Sequence, residues 1–132
     1  MAEEACHVVT STTRFGLTQA LGSTQIFSEN VMRETTVVVS YRALPAHAEA
    51  AKEAIATLVA TVLSEEPDCS GITILQDSND PARFMLIERW PSQEIFLGPH
   101  MQQPHIQSFI QDAGVFLAGP PDISFWNAAR AA

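Results

Sequence analysis

The 132-residue chain has the length of one domain, and its 46% hydrophobic and 17% charged residues are typical of a globular protein rather than a disordered one. Its 15 acidic side chains against 7 basic ones give a net charge of −8. The few Lys and Arg residues are scattered, so the basic stripe that nucleic-acid binding needs is absent, and an anionic membrane surface is disfavoured. We therefore expect neither nucleic acid nor a membrane as a partner.

The cysteines and the first residues predict a cytoplasmic protein. Cys6 and Cys69 lie 63 positions apart and form no CxxC pair, so they predict neither a disulfide framework nor a zinc site. No run of residues approaches the roughly 18 apolar positions of a transmembrane helix. Acidic residues stand near the N-terminus, where a signal peptide needs positive charge.

The chain divides into an extension, a domain and a short tail. Residues 1–32 are rich in Thr, Ser, Gln and Gly with weak periodicity, and we expect them to be flexible or loosely packed on the surface. The domain is predicted over residues 33–127, and residues 128–132 form a C-terminal tail. Its first strand is predicted over residues 36–42, where β-branched residues dominate.

A long helix is predicted over residues 46–64, because Ala and other good helix formers dominate. Spacings of three and four place its larger apolar residues on one face, and these are Ile55, Leu58, Val59, Val62 and Leu63. The remaining predicted elements are strands over 72–76, 83–90 and 123–126, a short helix after the N-cap Ser92, and a helix over 104–117.

The resulting order, β-α-β-β-α-β, predicts an α+β fold with a four-stranded antiparallel sheet and helices on one face. The strand over 83–90 is apolar on both faces, because Leu86 and Trp90 alternate with Met85 and Ile87. Two helices cover only one face of a sheet, so we expect a second copy, a ligand or both on the other. A cavity between two such sheets would be an apolar pocket.

Five short motifs occur in the order that one known family shows. They are V-V-V-S-Y-R at 37–42, V-L-S-E-E-P-D-C-S-G at 62–71, R-F-M-L-I-E-R-W at 83–90, H-M-Q-Q-P-H at 100–105 and A-G-P-P at 118–121. In this the chain resembles the antibiotic biosynthesis monooxygenase family of the dimeric α/β-barrel superfamily, from about residue 36 to residue 127.

The resemblance implies a ferredoxin-like fold that dimerises into an α/β barrel. Known members of the family include cofactor-free oxygenases of quinols and anthrones, heme-degrading enzymes and an isomerase of a phosphorylated sugar, so the fold is implied more firmly than the reaction. Two positions depart from particular members. Leu86 stands where several polyketide oxygenases have Asn. The heme degraders have an Asn on strand one, where this chain offers Ser40, Tyr41 and Arg42 instead.

Trp90 and His100 are the candidate catalytic residues. Trp90 is either a core or dimer-interface residue or, as the resemblance to the oxygenases implies, a part of the pocket wall that stacks on a flat substrate. His100 either orients a helix start or acts as a general base, since its pKa lies near neutrality. His105 lies five positions on, about 140° around an ideal helix, so the two histidines make a poor metal pair. It is a candidate for substrate binding.

The other candidate substrate-binding residues are Tyr41, Arg42 and Glu88. Tyr41 could hydrogen-bond a ligand oxygen, and Arg42 could hold an anion such as a phosphate. Glu88 either pairs with Arg42 or Arg89, or holds a histidine or a substrate hydroxyl. His47 is expected to be exposed in a loop, while Cys69 is expected to be a small packed residue.

The favoured interpretation is a homodimeric, cofactor-independent monooxygenase that joins dioxygen to a small phenol, quinol or aromatic polyketide. It requires no metal and no flavin. Two alternatives stay open at this point. One is an isomerase of a small oxygenated metabolite, which Arg42 would favour if the substrate were phosphorylated. The other is a non-catalytic dimeric module that binds a small ligand.

Overall fold

The computed structural model describes residues 34–130, and the predictions for the extension at 1–32 and for the last two residues of the tail lie outside this range. The strands are β1 (Thr35–Arg42), β2 (Gly71–Gln76), β3 (Arg83–Trp90) and β4 (Asp122–Trp126). The helices are α1 (Ala48–Glu65), α2 (Gln93–Leu97) and α3 (Pro104–Asp112), with 3-10 turns at Pro45–His47, His100–Gln102 and Ala113–Val115.

The four strands form one antiparallel sheet in the order β2-β3-β1-β4. This order, together with the β-α-β-β-α-β sequence of elements, confirms the predicted α+β ferredoxin-like fold. The two central strands pair along their whole length, from Thr35 opposite Trp90 to Arg42 opposite Arg83. Every side chain of β3 therefore has a fixed neighbour on β1.

The helix-covered face of the sheet forms the core. Along β1, Val37, Val39 and Tyr41 are buried, while the residues between them are half-buried. The same two-residue period buries Leu86 and Trp90 on β3. Met85 and Ile87 point to the other face of β3 and are half-buried. The prediction that β3 is apolar on both faces is thus confirmed.

Helix α1 lies across the sheet because its apolar residues recur every three or four positions. Ala51, Ile55, Val59 and Val62 are buried against the sheet. Leu63, which the sequence assigned to the same face, is 44% exposed, since a residue eight positions after Ile55 has rotated to the edge of the apolar stripe.

The last predicted helix is shorter than expected. The α-helix ends at Asp112 instead of continuing to Leu117, and a 3-10 turn follows. The backbone N–H groups of Phe116 and Leu117 both donate to the carbonyl of Ala113, over 3.1 and 2.7 Å, and this tight turn ends the regular helix. The turn places Leu117 opposite Ala43, the residue that follows β1, and the two form an isolated antiparallel β-bridge.

The second face of the sheet is open in the described chain. Val38, Met85 and Ile87 are half-buried there, while Leu75 and Trp126 are 45% and 58% exposed. We call these five residues the open apolar face. The structure contains one chain, so dimerisation and the expected pocket between two sheets stay predictions.

Between residues 34 and 130, no helix combines the length and the hydropathy that crossing a membrane requires.

Candidate functional site

A cavity of about 510 Å³ lies between the helix-covered face of the sheet and helices α1 and α3. This volume is in the range of small-molecule sites. Most of the wall is apolar and comes from Val39, Leu58, Val59, Val62, Ile72, Leu86, Phe96, Ile106, Phe109, Ile110 and Leu117, among others. The cavity belongs to a single chain, on the opposite side of the sheet from the pocket that the sequence predicted between two copies.

Among residues 34–130, three side chains with ionisable groups line this cavity, namely Tyr41, Glu88 and His100. Of the described residues in the wall, none is Lys or Arg. The site thus combines a large apolar surface with a few polar groups, which is typical of a pocket for a small, largely apolar ligand.

Glu88 is a buried carboxyl group, 5% exposed, on the cavity wall. Its Oε1 accepts a hydrogen bond from the indole Nε1–H of Trp90 over 2.8 Å. Burial raises the pKa of Glu88 to about 7, the Trp90 hydrogen bond opposes this rise, and the nearby charge of Glu66 adds to it. A carboxyl group with a pKa near neutrality can both donate and accept a proton.

The predicted pairing of Glu88 with an arginine is wrong. Arg42 pairs with Asp80 over 3.1 Å, and Arg89 pairs with Glu34 over 3.4 Å. Both arginines are exposed. Side chains alternate between the two faces of a strand, so Arg42 and Arg89 lie on the open face of the sheet, whereas Glu88 lies on the helix-covered face.

Trp90 is 1% exposed and packs behind the cavity wall. Its ring lies 4.4 Å from that of His100 and 5.7 Å from that of Phe96, measured between ring centroids. In the described chain Trp90 is not part of the cavity wall. Its stacking partner here is His100, and its predicted contact with a substrate stays a prediction.

His100 is 5% exposed, and Glu66 holds its ring from one side. The Nδ1 of His100 lies 2.9 Å from Oε1 and 3.1 Å from Oε2 of Glu66. The Nε2 of His105 lies 2.6 Å from the same Oε2. One buried carboxylate therefore joins both histidines of the predicted candidate set.

The chain brings these three residues together at element ends. Glu66 follows α1, where its backbone N–H donates to the carbonyl of Val62 over 2.8 Å. His100 begins a 3-10 turn, and His105 lies in the first turn of α3. The extended backbone of Gln103 between them, with ψ 141°, interrupts the helix. The 140° separation expected for a continuous helix therefore does not apply.

The pKa of His100 is lowered, with burial as the largest cause. The hydrogen bond and the charge of Glu66 act in the opposite direction, and His105 lowers the pKa further. The lowered pKa favours the neutral form of His100, which is the state in which an imidazole can take up a proton.

Tyr41 and Arg42 lie on opposite faces of β1. Tyr41 lines the cavity and packs edge-on against Phe109, with ring centroids 5.9 Å apart. Burial raises its pKa well above the usual range, with a further rise from Glu88, so its hydroxyl group keeps its proton and can donate a hydrogen bond. Arg42 is exposed and does not line the cavity.

Two further expectations are confirmed, and one residue was missed. His47 is exposed, and Cys69 is buried, with burial raising the pKa of its thiol to about 11. Glu66 appeared in the sequence only as part of a turn motif, although its place immediately before Pro67 is the one signal that fixes it at a helix end. Within residues 34–130, no three His, Cys, Asp or Glu side chains form a metal-ligand cluster.

The family model for antibiotic biosynthesis monooxygenases matches residues 35–112, which is more than half of the chain. The chain belongs to the antibiotic biosynthesis monooxygenase family. The match covers every described element from β1 to α3, including Glu88, Trp90 and both histidines of the site.

Solved structures show the same fold. PA3566 from Pseudomonas aeruginosa is 25% identical, with a TM-score of 0.67 over 76% of this chain and 98% of its own. A Nitrosomonas europaea protein that carries the family name is 22% identical, with a TM-score of 0.66 over 74% and 91% of the two chains. One from Caulobacter crescentus CB15 that also carries it is 20% identical, with a TM-score of 0.67 over 80% and 99%. None of the curated proteins matches this chain.

Proposed function

We propose that this protein is a cofactor-independent monooxygenase whose cavity binds a small phenol, quinol or aromatic polyketide together with dioxygen. The observation that carries the proposal is the position of His100. It is a buried imidazole on the wall of an apolar cavity of about 510 Å³, where it is held by a carboxylate. Such a group is suited to remove a weakly acidic proton from a ligand that the apolar wall has bound.

The composition of the wall favours a neutral, planar substrate. The aromatic rings of Tyr41, Phe96 and Phe109 line the cavity and can pack against a flat ring system. The hydroxyl group of Tyr41 provides one hydrogen-bond donor. Arg42, which would favour a phosphorylated substrate, is exposed and paired with Asp80, so the isomerase alternative loses the residue that motivated it.

The proposed reaction needs no electrons beyond those of the substrate. His100 takes a proton from the substrate, and the resulting anion gives one electron to dioxygen. The substrate radical and superoxide then combine, which forms a C–O bond and a peroxide. Cleavage of the O–O bond leaves one oxygen atom in the product as a carbonyl group, while the other leaves as water and takes up the hydrogen that remained on the oxidised carbon.

Glu88 supports the second half of this reaction. With a pKa of about 7, a large fraction of Glu88 is protonated near neutral pH. It can therefore give a proton to the leaving oxygen and receive one from the solvent afterwards. The same donor and acceptor pair, Glu88 and His100, would also suit the isomerisation of an unphosphorylated oxygenated metabolite, and this is the second candidate function.

Oxygen uptake separates these functions. Metal-stripped protein is mixed with a panel of quinols and anthrones in an oxygen electrode, beside H100Q and the exposed control H47Q. We expect uptake by the wild type and H47Q, and a loss of about 10² to 10⁴ in H100Q. No uptake above the enzyme-free rate, or equal rates in both variants, contradicts the proposal. Turnover that continues under nitrogen would favour the isomerase, and ligand binding without turnover would favour a binding module.

We further propose that the protein works as a homodimer in the cytoplasm. The open apolar face supports the dimer, because half-buried Val38, Met85 and Ile87 and exposed Leu75 and Trp126 form an apolar surface that a second copy can cover. The buried thiol of Cys69, which forms no disulfide within residues 34–130, supports the location.

A further inference from the structure

The carboxylate of Glu66 is shared by two histidines that approach it through different nitrogens. His100 presents Nδ1 at 2.9 Å and His105 presents Nε2 at 2.6 Å. An ionised carboxylate can only accept hydrogen bonds, so the nitrogen that faces it must carry a hydrogen. A carboxylate as buried as Glu66, whose side chain is 7% exposed, needs such donors to compensate the loss of water.

We propose that Glu66 is a positioning residue that fixes the two histidines in opposite tautomers, with the hydrogen of His100 on Nδ1 and that of His105 on Nε2. In free histidine the Nε2–H form predominates, so the form assigned to His100 is the less common one. It leaves the lone pair of His100 on Nε2. That this lone pair is the base of the oxygenation rests on the proposed function, whereas the tautomers themselves do not.

Packing holds the ring of His100 in the orientation that the proposal requires. The ring centroid lies 4.4 Å from that of Trp90 and 4.8 Å from that of Phe96. A 180° flip of the imidazole would put a carbon, Cδ2, where Nδ1 now faces Glu66, and the rotating ring would have to pass these two aromatic neighbours. In this assignment Nε2–H of His105 donates to Oε2 of Glu66, so the carboxylate is itself fixed between two donors.

Nitrogen NMR of the ligand-free full chain tests the tautomers directly. Long-range ¹H–¹⁵N correlations of the imidazole rings distinguish Nδ1–H from Nε2–H, and about pH 8 keeps ordinary histidines neutral. Signals are assigned with single Gln substitutions of His7, His47 and His105, which leave His100 as the fourth histidine. We expect Nδ1–H for His100 and Nε2–H for His105. An Nε2–H form of His100, or a mixture of both forms, overturns the proposal.

Glu66→Gln provides the second arm, and Glu65→Gln is its matched control. The amide of Gln has one accepting oxygen and one NH2 group that only donates. In either orientation the NH2 group would stand against a histidine nitrogen, at the Oε1 position 2.9 Å from His100 Nδ1 or at the Oε2 position 2.6 Å from His105 Nε2. We therefore expect one of the two histidines to change tautomer. Glu65 is exposed and adjacent, so E65Q removes the same charge and should leave both tautomers unchanged. Unchanged tautomers in a folded E66Q overturn the proposal. If E66Q does not fold, the wild-type spectrum decides.

The activity of the same variants separates this proposal from the proposed function. In E66Q we expect kcat to fall at least about tenfold with little change in KM, because a carboxylate that orients a catalytic histidine acts on the chemical step. E65Q should retain the wild-type rate. If the tautomers are as expected but no substrate consumes oxygen, the positioning role of Glu66 stands and the monooxygenase function falls.

Discussion

Replacing Glu88 with Gln should change the pH dependence of folding stability. Glu88 has an ordinary pKa of 4.5, and burial raises it to about 7 in the folded chain. The folded state therefore binds its proton more tightly than the unfolded state does. A group of this kind stabilises the fold fully below pH 4.5, and the stabilisation is lost as the pH rises towards 7.

The size of the effect follows from the two pKa values. Their gap corresponds to about 3 kcal/mol at about 1.4 kcal/mol per pKa unit, and most of this, about 2 to 3 kcal/mol, falls between pH 5 and pH 8. Gln is neutral at every pH and keeps an oxygen that can accept from the indole of Trp90. Between pH 5 and pH 8 the free energy of unfolding of E88Q should therefore rise by about 2 to 3 kcal/mol relative to that of the wild type.

Urea unfolding of both chains at several pH values measures this difference, and the comparison removes the contributions of all other groups. The control is Glu94→Gln, which makes the same substitution at an exposed carboxyl group of α2 and so shows how much of the effect belongs to the buried position of Glu88. A difference between E88Q and wild type that stays constant within about 0.5 kcal/mol would refute the reasoning, because Glu88 would then titrate alike in the folded and unfolded chains.

Two further predictions concern the edges of the site. Ser92→Ala should lower the free energy of unfolding by about 0.5–2 kcal/mol, because the Ser92 hydroxyl group accepts a hydrogen bond from the backbone N–H of Ile95 over 3.3 Å at the start of α2. Ser92→Thr keeps the hydroxyl group and should lose less stability. Equal losses in urea unfolding would contradict a capping role. Ile87→Asp places a charge on the open apolar face, and we expect light scattering to show that it converts the dimer to a monomer. Leu63→Asp, on the exposed surface of α1, should leave the dimer intact. A monomeric wild type would contradict the dimer itself.

The strands could be predicted because each carries a local pattern that matches its environment. Strand β3 occupies the predicted residues 83–90, since its apolar run is bounded by turn residues and is buried by both neighbouring strands. The two-residue period also placed Glu88 on the same face as Trp90. Applied to β1, the same period puts Tyr41 in phase with buried Val39 and leaves Arg42 on the other face, and this separation was available from the sequence.

The site was less predictable because its contacts join distant parts of the chain. Glu66 and His100 are separated by 34 positions, and no local periodicity links them. The break at Gln103 brings both histidines to one carboxylate, whereas a continuous helix would have separated them. The position of the cavity likewise depends on how far α1 and α3 stand from the sheet, which is a property of the packed molecule rather than of any one segment.

The two tryptophans stand in opposite surroundings, Trp90 at 1% and Trp126 at 58% exposure, and this gives the molecule a spectroscopic use. In a Trp126→Phe variant the remaining tryptophan would be Trp90, whose ring centroid lies 4.4 Å from that of His100. A protonated imidazole quenches an excited indole, so the intrinsic fluorescence of Trp90 would decrease as His100 gains a proton. It would also respond to a ligand that binds in the cavity against His100. The charge state of the candidate base could thus be followed optically, without a label, during a titration.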